Sequence, residues 1–491
     1  MMLSSACTLG PDFVRPDSPD TQNYTSEKLP KSVGAQTLLM GKEMPAQWWM
    51  LFRSPPLTKL IERALKQSPD LQAAQAALTE ASEIATAKES ALFPAVDAGY
   101  SAIRQQTSGA QFGSPSFSGS LFSLYNASVN VSYTLDVFGS VRRQIEGLMA
   151  EADYQRFQLE GAFLTLSGNI VTTVITEAAL REQISVTEEL IKLRLEQLNI
   201  IKQQVDLGSA TQIEFLAQQT AVEQERANLP PLQKQLMQTR HRLSVLVGDL
   251  PSTEPAAKFT MADLQLPLEL PVSLPSKLVA QRPDIRGQEA LLKAANAKIG
   301  LITAKMFPDF TISASVSSIA TRVGDLFVPG SAIWNTGLNL LQPIFHGGEN
   351  IHERDAAIAA YEAAAARYRS TVLLAFQNVA DTLSALEIDA NAVKIQTAAE
   401  QSALASLELN RQQYKTGAVS YLSLLNAQNT YQQTRLAQIK AKAVQLADSA
   451  ALFQALGGGW WQRADLSREL AAQQKKPKSY SWLPYFDWNL K

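Results

Sequence analysis

Apolar and polar residues alternate strictly along two stretches of the chain, one in each half, and less regularly along two further stretches. A period of two residues is typical of β-strands, whose side chains point alternately to opposite faces of a sheet. Ser- and Gly-rich segments near 105–120 and 321–330 join these stretches in pairs, so the sequence predicts two β-hairpins. The four predicted strands lie within residues 96–102, 125–137, 310–316 and 332–340.

Helical patterns surround each hairpin. A Pro-Asp pair opens each of the stretches 70–93 and 284–307, and a proline ends each of them. After each hairpin comes a run without proline, 144–206 or 350–416. As a continuous helix, either run would be roughly 90–100 Å long at 1.5 Å per residue.

Each long run ends in a tight turn that leads into a return helix. Gly208 and Gly417 suit the left-handed backbone position that follows a helix. Thr211 and Glu214 form a capping-box pattern, and Ser420 is the matching cap in the second half. The return helices are predicted to extend to about residues 247 and 456.

The order of these features points to an internal repeat. Four landmarks recur in constant order, about 207 to 214 positions apart. They pair residues 68–71 with 282–285, 91–94 with 305–308, 138–139 with 345–346, and Gly208 and Gln219 with Gly417 and Gln428. The sequence therefore predicts two copies of one unit: short helix, hairpin, long helix, turn and return helix.

Four strands of about ten residues are too few to be stable alone or to close a barrel. Such strands fit a transmembrane β-barrel, which needs at least about eight of them. Three copies of the chain would supply about twelve strands around an aqueous lumen. A soluble β-sandwich would show the same alternation, but helices of this length have no natural place on one. The clustered alanines at 356–366 favour a closely packed helical tube over a coiled coil with a leucine seam.

Composition narrows the class of protein. The formal charge of −2 shows no excess of basic residues of the kind that binds nucleic acid, so no nucleic-acid partner is expected. The chain has no run of about 18 consecutive apolar residues, so a transmembrane helix is not expected.

We find no nucleotide, zinc or hydrolase motif and predict no catalytic residues, no enzyme activity and no cofactor. His346 and His352 do not share a helical face, so no metal site is expected either. A fibrous scaffold would explain the helices but would leave the alternating strands unexplained.

The single cysteine, Cys7, follows small residues near the start of the sequence. One cysteine cannot form an internal disulfide. It is either an unreactive terminal thiol or a lipoprotein processing site, and the residues before it are too few for a complete signal peptide.

The repeated helix–hairpin–helix unit resembles the outer membrane factor family, the TolC-like and NodT-like exit ducts of tripartite efflux systems. Residues 7–16 resemble the start of the lipoprotein branch of that family. Residues 414–417 and 421–428 resemble its periplasmic tip. The resemblance covers nearly the whole chain and implies a covalent lipid on Cys7, although Ser4 stands where the lipoprotein branch usually has leucine.

The resemblance implies an α+β membrane protein, a homotrimer with a 12-stranded outer-membrane barrel that continues into a periplasmic α-helical barrel. Its partners would be outer-membrane lipid, a periplasmic adaptor (membrane fusion) protein and an inner-membrane pump of the resistance-nodulation-division type. The expected function is passive export of small molecules, and the alternative is a duct for type I protein secretion. The predicted domains are a lipidated segment and equatorial collar (1–55), the first repeat (56–250), a linker (251–280), the second repeat (281–456) and an equatorial tail (457–491).

The turns between the long helices are the expected functional positions. Residues Leu207, Gly208, Ser209, Thr416, Gly417 and Ala418 are predicted to meet the adaptor. Leu422 and Asn426 are four positions apart and share a helical face, with Ser423 beside them. In a trimer they would form rings that close the duct at rest. Glu214 is either part of the capping box or a fourth gate residue, and both alternatives remain open.

Overall fold

The computed structural model describes residues 8–21, 23–27, 30–108, 120–252 and 257–463. Its helices are α1 (Pro55–Gln67), α2 (Pro69–Glu89), α3 (Ser140–Asp206), α4 (Gln212–Val247), α5 (Pro275–Gln281), α6 (Pro283–Ala304), α7 (Glu349–Lys415) and α8 (Tyr421–Ala455). Its strands are β1 (Ser32–Val33), β2 (Gln36–Met40), β3 (Ala95–Gln106), β4 (Leu121–Leu135), β5 (Glu269–Val272), β6 (Asp309–Ala320) and β7 (Ala332–Leu341). The order helix, hairpin, long helix, return helix occurs twice.

The two long helices confirm the predicted proline-free runs. Helices α3 and α7 each contain 67 residues, which corresponds to a length of about 100 Å. Helix α3 begins four residues earlier than predicted, because Asp136 caps it. The Asp136 carboxylate accepts hydrogen bonds from the backbone N–H groups of Val141 at 2.9 Å and Arg142 at 3.0 Å, so it stabilises the first turn.

The return helices differ in one respect that the predicted boundaries did not reveal. Helix α4 contains Pro230 and Pro231 in its interior, whereas α8 has no internal proline. Each proline removes one backbone hydrogen bond from the helix. Both prolines are exposed, so water can bind the carbonyl groups left without a partner.

The two predicted hairpins form one antiparallel sheet with the strand order β3-β4-β6-β7. The β4–β6 pair joins the hairpins, a contact that the alternation in each hairpin does not predict. The register separates the residue types by face. One row across the sheet contains Ala98, Val129, Val316 and Trp334, and the next row, on the other face, contains Asp97, Asn130, Ser315 and Asn335.

The apolar face of this sheet is uncovered in the single chain. Val316 is 62% exposed and Trp334 is 73% exposed. Burying such side chains would stabilise the sheet by about 1.5–3 kcal/mol for each large residue. The sheet is thus suited to an apolar environment on one face and a polar one on the other.

A small second sheet was not predicted from the sequence. Strand β1 pairs with β2, and β2 runs parallel to β5. The Gln36 side chain, fully buried, donates hydrogen bonds to the Pro267 carbonyl at 2.9 Å and to Ser449 Oγ at 3.0 Å. Strands of two to five residues are too short to show a period, so only the folded chain reveals them.

The chain divides into two compact units. The first comprises Met1–Asp17, Gln75–Phe157 and Gly287–Ser370, and the second comprises Ser18–Ala74, Gln158–Arg286 and Thr371–Lys491. The first unit contains the four-stranded sheet, and the second contains both tight turns. Each unit draws on both halves of the sequence, whereas the predicted domain boundaries follow the repeats and stay a sequence prediction.

Within the described residues, α3 contains an 18-residue window with a mean hydropathy of 1.3, long and apolar enough to cross a membrane. Two-thirds of that window, 67%, is buried inside the protein, as in the core helix of a soluble domain. The sequence expectation rested on consecutive apolar residues, a stricter criterion than mean hydropathy, and therefore did not detect this window.

Candidate functional site

The two turns between the long helices have the same backbone geometry. Gly208 has φ +73° and Gly417 has φ +74°, the left-handed conformation predicted for both. Ser209 N–H donates to the Gln204 carbonyl at 2.8 Å, and Ala418 N–H donates to the Gln413 carbonyl at 2.9 Å. These bonds satisfy carbonyl groups at the ends of α3 and α7.

The residues expected to meet an adaptor all lie at the surface of these turns. Leu207 is 83% exposed, and Gly208, Ser209, Thr416, Gly417 and Ala418 are exposed as well. An added Cβ at Gly208 or Gly417 would meet no atom within 4 Å. The left-handed backbone, rather than lack of space, therefore favours glycine at both positions.

Both return helices begin with the predicted caps. Glu214 Oε2 accepts a hydrogen bond from Thr211 N–H at 2.8 Å, and Thr211 Oγ1 accepts one from Glu214 N–H at 3.3 Å. Ser420 Oγ accepts one from Ser423 N–H at 3.3 Å. The capping role of Glu214 is confirmed, and its gate role stays a prediction.

The predicted gate residues lie on the first turns of α8. Leu422 is 63% exposed, and Asn426, one helical turn later, is exposed too. Ser423 is half-buried, and its hydroxyl lies 3.1 Å from the Ser420 hydroxyl. The single chain thus leaves Leu422 and Asn426 available to other groups, whereas Ser423 belongs to the cap.

A buried polar network beside the turns was missed in the sequence. Arg194 is buried and donates a hydrogen bond to Asn429 Oδ1, and its Nη2 lies 3.9 Å from Glu225 Oε2. Gln432 donates a hydrogen bond to Glu225. Burial lowers the pKa of Arg194, and the charge of Glu225 opposes that shift. An ion pair inside the protein is therefore shared among α3, α4 and α8.

A second set of buried polar contacts extends this network. Gln218 Nε2 donates to the Arg194 carbonyl at 2.7 Å, and the Tyr421 hydroxyl donates to Gln218 Oε1. Burial raises the pKa of Tyr421 above its ordinary value. Gln218 and Tyr421 lie 203 positions apart in the sequence, so only the tertiary structure brings them together. No sequence signal distinguishes Arg194 and Glu225 from the many other charged residues of α3 and α4.

Cys7, the predicted lipidation site, lies outside the described residues. The residues that follow it are held near the end of β4. Leu9 N–H donates to the Phe138 carbonyl at 3.1 Å, and Arg143, 4% exposed, donates to the Leu9 carbonyl at 3.0 Å and to Asp12 Oδ1 at 2.9 Å. Burial acts to lower the pKa of Arg143, but its hydrogen bonds to Glu146 and Asp12 outweigh burial and raise it. The segment after Cys7 is thus fixed at the junction between the sheet and α3.

No group of three or more His, Cys, Asp or Glu side chains suited to a metal ion occurs in the part of the chain that the structure describes.

Comparison with known proteins identifies relatives along nearly the whole chain. The outer membrane efflux protein family matches residues 60–249 and 274–458. The pyoverdine export outer membrane protein OpmQ of Pseudomonas aeruginosa is 32% identical over 425 residues, covering 84% of this chain and 87% of OpmQ. The toluene efflux pump outer membrane protein TtgC of Pseudomonas putida is 29% identical over 472 residues, covering 96% of each chain.

Two further matches are a probable lipoprotein and a solved channel structure. The probable outer membrane lipoprotein SilC of Salmonella typhimurium is 27% identical over 468 residues, covering 94% of this chain and 97% of SilC. The solved structure of the outer-membrane channel OprN superposes with a TM-score of 0.82 at 25% identity and covers 92% of this chain and 100% of OprN.

Proposed function

Because the chain belongs to the outer membrane efflux protein family and is an efflux channel of the outer membrane, we propose that it is the exit duct of a tripartite efflux system. In this proposal a homotrimer forms a 12-stranded barrel and a periplasmic helical tube. An inner-membrane pump of the resistance-nodulation-division type and a periplasmic adaptor deliver small molecules to it, and the duct conducts them passively. The repeated order of elements supports an origin by internal duplication.

The observation that carries this proposal is the open four-stranded sheet. One of its faces is apolar and uncovered and the other is polar, as in a barrel wall between lipid and a water-filled lumen. One chain supplies too few strands for closure, while three supply about twelve.

Native mass spectrometry of the detergent-solubilised protein tests this assembly. We expect a trimer that precipitates when the detergent is removed. A monodisperse monomer in plain buffer would contradict the proposed barrel.

We propose that Cys7 carries the covalent lipid. SilC is named a probable lipoprotein, and the Arg143 contacts fix the chain just after Cys7 beside the end of β4. Acyl chains attached there would enter the bilayer at the rim of the sheet. Intact-mass measurement should show a processed, acylated N-terminus, and an unmodified Cys7 would reject the proposal.

We propose that both turns contact the adaptor and that the start of α8 forms the gate. Residues Leu207, Gly208, Ser209, Thr416, Gly417 and Ala418 would meet the adaptor, because they are exposed and form the tightest part of each turn. Leu422 and Asn426 would form threefold rings that close the duct at rest. An amide at Asn426 carries no charge, so the ring would rely on hydrogen bonding and on the Leu422 side chains. Glu214 would act mainly through its cap.

The class of cargo is tested by comparing two kinds of export in a deletion strain. Complementation with this chain should restore extrusion of small apolar dyes and leave secretion of large proteins unchanged. If the chain restored secretion of a large protein and left dye extrusion unchanged, the result would instead support a duct for type I protein secretion. Neighbouring genes that encode an adaptor and a pump would independently support the tripartite efflux system.

A further inference from the structure

The second compact unit contains a cavity of about 840 Å³ that the proposed duct does not use. Its walls come from the segment that precedes α1, from the middle of α3 and from the residues that follow α8. The lining includes Trp48, Trp49, Met50, Phe163, Leu164 and Trp460. A cavity of this size and lining is suited to large apolar side chains.

The aromatic wall of the cavity is rigid. Trp48 is 1% exposed and packs against Phe453 with ring centroids 5.6 Å apart, and against Phe52 at 6.4 Å. The Trp460 Nε1 group donates to the Gln281 carbonyl at 2.6 Å. Because these rings are already fixed, an occupant would meet a preformed surface and would not have to order it.

The last described residue forms part of the cavity rim. Arg463 lines the cavity and donates from Nη1 to Glu160 Oε2 at 2.9 Å. Its guanidinium group also lies 4.1 Å from the centroid of the Phe163 ring. These contacts fix the point from which residues 464–491 continue.

The sequence after this point contains a suitable occupant. Residues 464–479 are mainly polar and charged, whereas five aromatic residues follow within nine positions. They are Tyr480, Trp482, Tyr485, Phe486 and Trp488.

We infer that the cavity is the docking site for residues 482–488 of the same chain. The segment supplies large aromatic side chains, which suit the size and the apolar lining of the cavity. Since it is tethered at the rim, its effective concentration is high, on the order of millimolar for a short linker. The docked segment would cover the aromatic wall with residues of its own chain.

Disulfide trapping tests this docking. Met50 lines the cavity and is 53% exposed, so Met50→Cys is paired with Phe486→Cys. The matched control pairs Phe486→Cys with Met40→Cys, because Met40 is 48% exposed and does not line the cavity. The connection from Arg463 to residue 486 can extend roughly 80 Å, so chain length alone does not restrict the tail to the cavity.

On oxidation of the trimer in detergent, we expect an intrachain link with Met50→Cys that forms at least tenfold faster than with Met40→Cys. Single-cysteine variants measure any reaction with Cys7. Covalent dimers on a denaturing gel would show that the tail occupies a neighbouring copy, and equal rates at both positions would show no docking. Either result overturns the inference.

Hydrogen–deuterium exchange of the full-length protein provides a second readout. Replacing Trp482, Phe486 and Trp488 by Ser should make backbone exchange in residues 45–52 at least fivefold faster. Replacing Lys475, Lys476 and Lys478 by Ser removes three charged side chains but no aromatic one, and should leave exchange unchanged. If the lysine variant alone accelerates exchange, or neither does, the aromatic docking is wrong.

Discussion

The turn at Gly208 and the turn at Gly417 share a backbone but differ in chemistry. Their glycines have φ values within one degree of each other, and each is followed by a capped helix. Just before the glycine, the first turn has Leu207, which is 83% exposed, whereas the second turn has Thr416. At the start of the return helices, the equivalent residues Ile213 and Leu422 are both apolar and are 79% and 63% exposed.

The comparison extends to equivalent residues deeper in the helices. Gln219 and Gln428 occupy the same place in the two copies, yet Gln219 is exposed and Gln428 is 4% exposed. The backbone plan recurs in both copies because turns and caps depend on local residues. Side-chain burial diverges because it depends on what each helix packs against, so equivalent residues of the two return helices can perform different tasks.

The largest expected effect concerns the turn glycines themselves. Gly417→Val forces a β-branched residue into a left-handed backbone, at about 1–2 kcal/mol, and adds a side chain at the proposed adaptor contact. We expect efflux of small dyes to be abolished while the level of trimer in the membrane is unchanged. Gly208→Val measures whether the first turn is equally sensitive.

Gly41→Val is the matched control. Gly41 has φ +79° and an added Cβ there meets no atom within 4 Å, so it carries the same backbone strain away from the turns. Unchanged efflux in Gly417→Val, or equal loss in Gly41→Val, would reject the docking role.

The buried ion pair should produce the next largest effect. Arg194→Met leaves Glu225 buried without its counter-charge, which we expect to destabilise the protein by about 3–5 kcal/mol. The midpoint of thermal unfolding, followed by helical circular dichroism, should fall accordingly. Arg226→Met removes an exposed i,i+3 pair with Glu223 and should change stability by less than about 1 kcal/mol. A similar fall in the unfolding midpoint of both variants would show that the buried Arg194 network contributes no more stability than an exposed ion pair.

The gate residues should affect conduction more than stability. The double variant Leu422→Ser with Asn426→Ala should raise single-channel conductance in planar bilayers severalfold, since it removes the bulk of both proposed rings. Asn426→Asp should increase cation preference without widening the pore. Ile213→Ser, at the position equivalent to Leu422 in the first copy, is the matched control and should not change conductance. Wild-type conductance in the double variant would place the constriction elsewhere, with Glu214 as the next residue to test.

The smallest effect distinguishes the two caps. Thr211→Ala removes a reciprocal capping box, whereas Ser420→Ala removes a single side-chain acceptor. We expect Thr211→Ala to lower the free energy of unfolding by about 1 kcal/mol and Ser420→Ala to lower it by somewhat less. Shifts in the midpoint of thermal unfolding measure both effects. If Glu214→Gln, which keeps most of the capping geometry, also raises conductance, then Glu214 has a pore role beyond its cap.

Local sequence was enough to predict the elements that depend on local interactions. The strands at 125–137 and 310–316, the two long helices, both turn glycines and the Thr211–Glu214 cap follow from periodicity and from hydrogen bonds between near neighbours. The common face of Leu422 and Asn426 also follows, because helical spacing fixes it.

Tertiary structure decided the features that join distant positions. The β4–β6 pairing, the β2–β5 pairing and the buried Arg194–Glu225 network join segments that are far apart in sequence, and no local pattern specifies such partners. Polar residues on an alanine-rich helix look the same whether they face solvent or a neighbouring helix. Only packing decides which of them are buried, because the cost of burial depends on the partner that each side chain finds.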